Sequence, residues 1–407
     1  MIPLDVAQAF VRESLRPLSP VTVELQHALN CVSAEAVTAT ESVPGFANSA
    51  MDGYAVRAED TTAQPVRLEV VGSVLAGDKP KGPIGQFQAM RVMTGAPIPE
   101  GSDSVCKIED VSLDALCGAV VIPRRIGVGE NVRYPGEDIS AGQTLIKEGS
   151  ELGVTEIGML AGQGITSLLV YPLPRVGVLS TGNELARSGG ELGYGEIRDV
   201  NRPMLVAALT NSGFLPVDLG IVPDDRTSLE EAFRRAAIEC DAVISTGGVS
   251  VGDVDLVKTV ITELCGERSR WMQVAVKPGK PLTFGVTGAK GTPLFGLPGN
   301  PVATLASFEL YVRPSLRILG GHEKVSRPTF AAKLDCPLPR RCDGTIHLVH
   351  VDLSIGDDGR THVVNVRRQG SHLVSAVSGA NGIAMVPDGD GYGVGDTVTT
   401  TVIGPLS

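Results

Sequence analysis

The sequence predicts a multidomain α/β plus β protein, built around a central, doubly wound, mostly parallel sheet with β-rich segments before and after it. Three observations carry this. From Pro174 to Val325 short apolar runs alternate with helical patterns, the order that gives a parallel sheet covered by helices on both faces. From Val43 to about Ser140, and again after Val325, short alternating runs lie between Gly/Pro turns, the texture of small β domains. Finally, a chain of 407 residues exceeds what one hydrophobic core serves, so roughly two to four domains are expected.

The elements follow in order. Leu4–Arg16 reads as an amphipathic helix with Phe10, Val11 and Leu15 among its apolar positions, ended by Pro17 and Pro20. The spacing over Thr22–Ala36 allows a second short helix. Val66–Val71 and Ala89–Met93 read as strands of the first β segment. A Gly-rich stretch, Gly149–Gly164, leads to Pro172-Leu173-Pro174, a stiff boundary. Beyond it, Val176–Leu179, Val217–Val222, Asp241–Ser245 and Trp271–Val276 read as strands. Helices open at Asn201-Arg202-Pro203, with Asn201 as cap, and at a capping box Thr227-Ser228-Leu229-Glu230. A third spans Asp255–Leu264. The last starts at Leu297-Pro298-Gly299-Asn300-Pro301, and Pro314 is expected to kink or end it. Ile346–Leu353 and Thr361–Val366 are strands of the C-terminal β segment.

Composition excludes several partners. A net charge of −11 argues against a nucleic-acid backbone or an anionic membrane as the main partner. No apolar run approaches the length of a membrane span, and the N-terminus lacks a secretory pattern. Seven scattered cysteines without a C-x-x-C point to reduced thiols and a cytoplasmic setting.

The chemistry concentrates in four loops at strand ends of the α/β segment. They are Ser180-Thr181-Gly182-Asn183-Glu184, Pro223-Asp224-Asp225, Thr246-Gly247-Gly248-Val249-Ser250-Val251-Gly252-Asp253-Val254-Asp255 and Lys277-Pro278-Gly279-Lys280-Pro281. Glycines let backbone N–H groups approach an anion, carboxylates can hold a divalent cation, and lysines offset phosphate charge. Taken singly, Asp224, Asp225 and Asp255 suit helix caps. Together with Glu184, and opposite Lys277 and Lys280, they read as a Mg²⁺ site facing phosphate. Neither a P-loop nor a dinucleotide fingerprint is present. Gly248-Val249-Ser250-Val251-Gly252 matches the nucleophile elbow of serine hydrolases, but two carboxylates within five residues of Ser250 suit a cation better. His347 and His350 lie in a predicted strand, where a spacing of three puts them on opposite faces and argues against a metal site.

A set of longer strings is more specific: NSAMDGYAVR (48–57), RVMTGAPIPEG (91–101), NVRYPGEDISAG (131–142), LSTGNEL (179–185), DVNRPML (199–205), STGGVSVGDVD (245–255), VKPGKP (276–281) and GLPGNPV (296–302). In this order they closely resemble the molybdopterin molybdenumtransferases, the MoeA proteins and the related gephyrin E domain. The resemblance runs over essentially the whole chain. It implies a molybdopterin-binding-like α/β domain at 174–325, a β domain at 43–139, an elongated linking domain from 1–42 and 140–173, and a C-terminal β domain at 326–407. It also implies a homodimer with a composite active site, contact with other proteins of molybdenum cofactor biosynthesis, and insertion of molybdate into adenylylated molybdopterin with Mg²⁺-dependent release of AMP. By position, the family's catalytic residues fall on Asp52, Thr94, Asp138, Glu184, Asp224, Asp255 and Lys277, with Glu184, Asp224 and Asp255 serving the metal. Ligand-binding positions fall on Thr181, Gly182, Thr246, Gly247, Gly248, Ser250, Lys277, Lys280, Pro298, Asn300, Pro301 and Ser371. A gephyrin-type scaffold without catalysis is the other function the resemblance admits.

Two positions depart from the family pattern. Trp271-Met272 stands where Trp-Lys is common, which is expected to remove a cation from the cleft. Ala303 stands where serine is usual, with Thr304 as a substitute hydroxyl. The C-terminal arginine of the family falls on Arg340 or Arg341.

Overall fold

The computed structural model describes residues 1–114, 118–186, 189, 191–248 and 255–406. The chain divides into two compact units. One comprises Ala36–Lys147 with Gly158–Thr166, the other Met1–Glu35, Glu148–Ile157 and Ser167–Ser407.

The first unit is built on a six-stranded mixed sheet in the order Ser104–Lys107, Gly53–Val56, Gln88–Val92, Val66–Val74, Ala119–Ile122, Ser112–Asp114. Tyr54, Val56, Leu68, Val120 and Ile122 pack into one core on it. Gly53 is dictated by register, since a Cβ there would lie 2.0 Å from the Cys106 carbonyl oxygen. The polar pair that precedes it is structural: Asn48 and Ser49 are buried and form a short ladder with Val132–Arg133.

In the second unit the central sheet has β1 (Arg175–Thr181), β2 (Leu215–Val222), β3 (Ala242–Thr246), β4 (Ser269–Gln273), β5 (Pro281–Thr287) and β6 (Thr292–Leu297). Their order is β2-β1-β3-β6-β5-β4. The β1–β2, β1–β3 and β3–β6 pairs are parallel, and β5 runs against both neighbours. Helix α1 (Asn201–Asn211) packs on one face together with the N-terminal helix Leu4–Glu13 and residues 308–319, burying Val178, Leu205, Ile244, Phe284 and Phe295. Helices α2 (Arg226–Glu239) and α3 (Leu256–Cys265) cover the other face through Phe233, Val257 and Ile261. The sheet is doubly wound, as the alternation of periods predicts.

The C-terminal strands Thr329–Leu334, Ile346–Ile355, Thr361–Val366, Gly382–Val386 and Thr397–Val402 close on themselves, because Gly382–Val386 pairs with both Thr397–Val402 and Ile346–Ile355. Closure of this kind removes free sheet edges. Among the described residues, no helix is long and apolar enough to cross a membrane, and the described cysteines are free thiols.

Several local expectations are corrected. Residues 22–36 hold no α-helix. The β-branched run Val21-Thr22-Val23 forms a strand against Leu168–Val170, and only the single 3₁₀ turn Leu25–His27 is helical. The Gly-rich stretch is not merely a linker: Val154–Gly162 is a helix, started by Glu156, which accepts the Gly153 N–H at 3.0 Å. Asn201 is the first helical residue of α1, not its cap. Asp225, not the Thr227 box, caps α2 by accepting the Ser228 N–H at 2.9 Å. The run Trp271–Val276 splits, with Ser269–Gln273 in the central sheet and Val276–Lys277 in the C-terminal one.

Pro314 does not end the last helix. Helix α4 (Pro301–Ser307) widens into one π-helical turn, Phe308–Val312, and resumes as Arg313–Leu319. A proline four residues on cannot donate to the Leu310 carbonyl, and that oxygen accepts the Gln8 amide at 3.2 Å instead.

Met272 lies in the core of the central sheet. It is 2% exposed, within the core that includes Leu282 and Phe284, so the residue that stands where the family has lysine is here a core side chain. Met272→Lys is expected to destabilise the fold by roughly 3 kcal/mol, the scale of an uncompensated buried charge. Urea unfolding of the full chain measures it.

Candidate functional site

In the order β2-β1-β3 the chain leaves β1 in one direction and returns to β3 on the other side. Such a switch point opens a crevice at the carboxyl ends of the strands, where ligands bind in open α/β sheets. The loops after β1, β2, β3 and β6 all leave from that edge. Because β4 points the same way as β6, so does the lysine loop after it.

Buried hydroxyls tie the two strands of the switch together. Ser180 Oγ lies 3.0 Å from Thr246 Oγ1 and donates to Asp199 Oδ1 at 3.0 Å. Asp199 then accepts the Arg202 backbone N–H at 3.2 Å and its Nε at 2.9 Å. One carboxylate thus fixes the end of β1 and the first turn of α1. Sequence reasoning missed this role, although Asp three residues before Arg202 is a capping spacing.

The glycines make the crevice narrow. Gly247 has φ +92°, and a Cβ on it would sit 2.1 Å from the Thr181 carbonyl oxygen. At Gly248 a Cβ would meet Val257 Cγ2 at 2.8 Å. Gly299 packs against Gly247 from the next loop, and its carbonyl accepts the Asn201 amide at 2.7 Å. Three backbone segments meet here, with the Thr181 methyl and Val257 as the side-chain groups nearest Gly248.

The predicted acids fall into different roles. Asp224 Oδ1 accepts the Thr181 hydroxyl at 3.2 Å, bringing the β1 and β2 loops together. Asp225 is a cap, and the Ser228 N–H holds its carboxyl below the usual carboxylate range. Asp255 is 6% exposed and caps α3 by accepting the Lys258 N–H at 3.0 Å. Glu184 is exposed and folds back over Gly182. Among the described residues no three His, Cys, Asp or Glu side chains form a group able to hold a metal ion, so Glu184, Asp224 and Asp255 do not make a closed cage. Mg²⁺ typically takes one or two carboxylates, with substrate phosphates and waters completing its shell. Oxygen donors at the ends of β1 and β2 fit that mode.

The start of α4 completes this edge. Pro301 is its first residue and Asn300 its cap. Asn300 Nδ2 donates to Ser371 Oγ at 3.1 Å, and the Val302 N–H donates to the Ser371 carbonyl at 2.9 Å. Ser371 is therefore brought to the predicted ligand-binding positions from 71 residues away. Thr304 is not a substitute donor for the hydroxyl missing at Ala303: its own hydroxyl is committed to the Pro298 carbonyl at 2.6 Å and the Asn300 carbonyl at 3.1 Å. Lys280 is exposed, whereas the Lys277 ammonium lies 3.4 Å from Asp343. Arg340 is structural. Its side chain is 1% exposed and bonded to Asp343, Asp388 and the carbonyls of Thr345 and Val386. Arg341 remains exposed. Ser250 and Asp253 lie outside the described residues.

In the other unit Asp52 and Thr94 are joined. Asp52 Oδ1 accepts the Thr94 N–H at 2.7 Å and its hydroxyl at 2.8 Å, and these bonds hold the carboxyl below its ordinary range. Asp138 sits on a separate exposed turn, its N–H donating to Val43.

Comparison with known proteins matches this architecture along its length. Residues 2–164 match the MoeA N-terminal region (domain I and II), 177–318 a probable molybdopterin binding domain, and 340–403 the MoeA C-terminal region (domain IV). The molybdopterin molybdenumtransferase of Haemophilus influenzae is 36% identical over 401 residues, 98% of both chains. The chain belongs to the MoeA family. The Bacillus subtilis molybdopterin molybdenumtransferase is 34% identical over 412 residues, covering 99% of this chain and 94% of that one. Two MoeA structures from Pyrococcus horikoshii superpose with TM-scores of 0.77 and 0.79, at 33% and 26% identity, over 99–100% of this chain and 100% of each of theirs. MoeA membership places the chain among the transferases of molybdenum cofactor biosynthesis.

Gly247→Ala is expected to abolish ligand binding and lower the melting temperature, because the added methyl overlaps the Thr181 carbonyl at a backbone angle that favours glycine. Asp225→Ala should lower the melting temperature through loss of its cap while leaving turnover near normal. Asp224→Asn should do the reverse. Calorimetry beside an activity assay separates the two acids.

Proposed function

We propose that this chain inserts molybdate into adenylylated molybdopterin and releases AMP, in a Mg²⁺-dependent reaction in the cytoplasm. The observation that carries the reading is the main-chain crevice at the β1–β3 switch, where Gly247, Gly248 and Gly299 meet beside the acids of neighbouring loops. Such a crevice suits a ligand bearing a pyrophosphate, since clustered main-chain N–H groups favour anions.

Adenylylated molybdopterin carries a pyrophosphate and a dithiolene, and molybdate is a dianion, so their union is opposed by charge repulsion. Mg²⁺, when bound through Glu184, Asp224 and Asp255, supplies neutralisation of the phosphate oxygens. Lys277 and Lys280 add positive charge from the β4–β5 loop. Asp224 is held in place by the Thr181 hydroxyl, and Asn300 and Ser371 offer an amide and a hydroxyl where α4 begins. Preorganised groups of this kind lower a barrier without a protein nucleophile. Asp52, Thr94 and Asp138 are proposed to act in the cleft of a second subunit of a homodimer.

AMP released from adenylylated molybdopterin, followed with and without molybdate and Mg²⁺, tests the reaction. Release that needs both supports it, and no release under any condition establishes a scaffold. Ser250→Ala should only weaken turnover, whereas complete loss would favour a serine hydrolase. Asp224→Asn and Asp255→Asn, which keep the shape of each group, should each raise the barrier by about 2.7–4 kcal/mol. Mixing inactive Asp52 and Asp255 variants should restore partial activity if subunits share a cleft. Ala303→Ser should lower the molybdate requirement.

A further inference from the structure

The chain leaves the central sheet at Gln273, adds Val276–Lys277 as a parallel strand beside Ile346–His347, and returns to the central sheet at Pro281. The Ile346 N–H donates to the Ala275 carbonyl at 2.8 Å and closes this ladder. The lysine loop is thus seated on the C-terminal barrel. The side chain waiting there is Asp343. Its Oδ1 accepts the Thr345 hydroxyl at 2.5 Å and an Arg340 N–H at 3.0 Å. Its Oδ2 is shared by His347 Nε2 at 2.9 Å and the Lys277 ammonium at 3.4 Å.

The two ends of this arrangement are unequal. Asp343 is anchored by short bonds, and the Thr345 hydroxyl and then His347 hold its carboxyl well below the usual range, so it stays charged. Lys277 is 65% exposed and makes the longest contact in the group. An exposed ion pair of this length is weak and easily exchanged.

We propose that Asp343 is a specificity-determining residue that acts through Lys277: it serves as the lysine's counter-ion, so that the ammonium favours a ligand bearing more negative charge than a single carboxylate. A pyrophosphate is favoured over a monoanion on that ground. This rests on the reading that Lys277 serves the anionic substrate.

The test is calorimetric titration of inorganic pyrophosphate into the full chain at low ionic strength. Asp343→Asn retains an oxygen for Thr345 and Arg340 and removes the charge. It should tighten pyrophosphate about two- to five-fold, the range set by an exposed pair, and this gain should vanish when Lys277→Met is also present. His347→Leu gives a second route should Asp343→Asn fold poorly. It leaves Oδ2 to Lys277 alone and should weaken pyrophosphate about two-fold, again with no effect beside Lys277→Met. If Lys277→Met alone leaves pyrophosphate binding at the wild-type value, the role given to Lys277 fails. If Lys277→Met weakens binding while Asp343→Asn does not tighten it, or His347→Leu does not weaken it, the role of Asp343 is overturned and that of Lys277 stands.

Discussion

The close approach of three backbones at Gly247 is the constraint on which the rest of the site depends. Thr181, Gly247 and Gly299 come from the ends of β1, β3 and β6, and a single methyl at Gly247 has no room. With the loops packed this tightly, Ser180, Thr246 and Asp199 can share one buried hydrogen-bonded cluster. That cluster in turn orients the start of α1, and Asn201 at that start grips the Gly299 carbonyl. Each contact reinforces the next, so the approach of these three backbones is set by main-chain geometry.

The acidic residues here divide their labour between structure and charge. A net charge of −11 makes an anion site costly unless its carboxylates are occupied. Asp225 and Asp255 cap helices, Asp199 braces β1, and Asp343 holds together part of the C-terminal barrel. The cap at Asp255 uses only one of its carboxylate oxygens, and Asp224 meets Thr181 at the neighbouring strand end.

Much of the fold was legible from the sequence because period and punctuation agree with it. The βα alternation after Pro174, the glycine loops at the strand ends and the helix opening at Pro301 all correspond to observed elements. The misreadings share a cause: long-range partners override a local signal. Val21–Val23 reads as a possible helix until Leu168–Val170 supplies a strand partner. Pro314 reads as a kink or an end, and the helix continues past it through a π-helical turn, with Gln8 taking the Leu310 carbonyl. Within the site, glycines and hydroxyls were found from local pattern, whereas Asp199 and Asp343 were not. Asp343-Gly344 has the look of an ordinary surface turn, and nothing local reveals that Lys277, 66 residues earlier, comes to rest against it.

The two-residue strand Val276–Lys277 bears on how separable the parts of this protein are. A segment cut back to the central sheet would keep its helices and its glycine crevice, and would lose the neighbour that positions its lysines. The C-terminal barrel is therefore more than an appendage. Grafting the barrel of a relative onto this sheet would transplant a charge arrangement together with a shape, and the two halves would have to be matched as a lock is matched to its key.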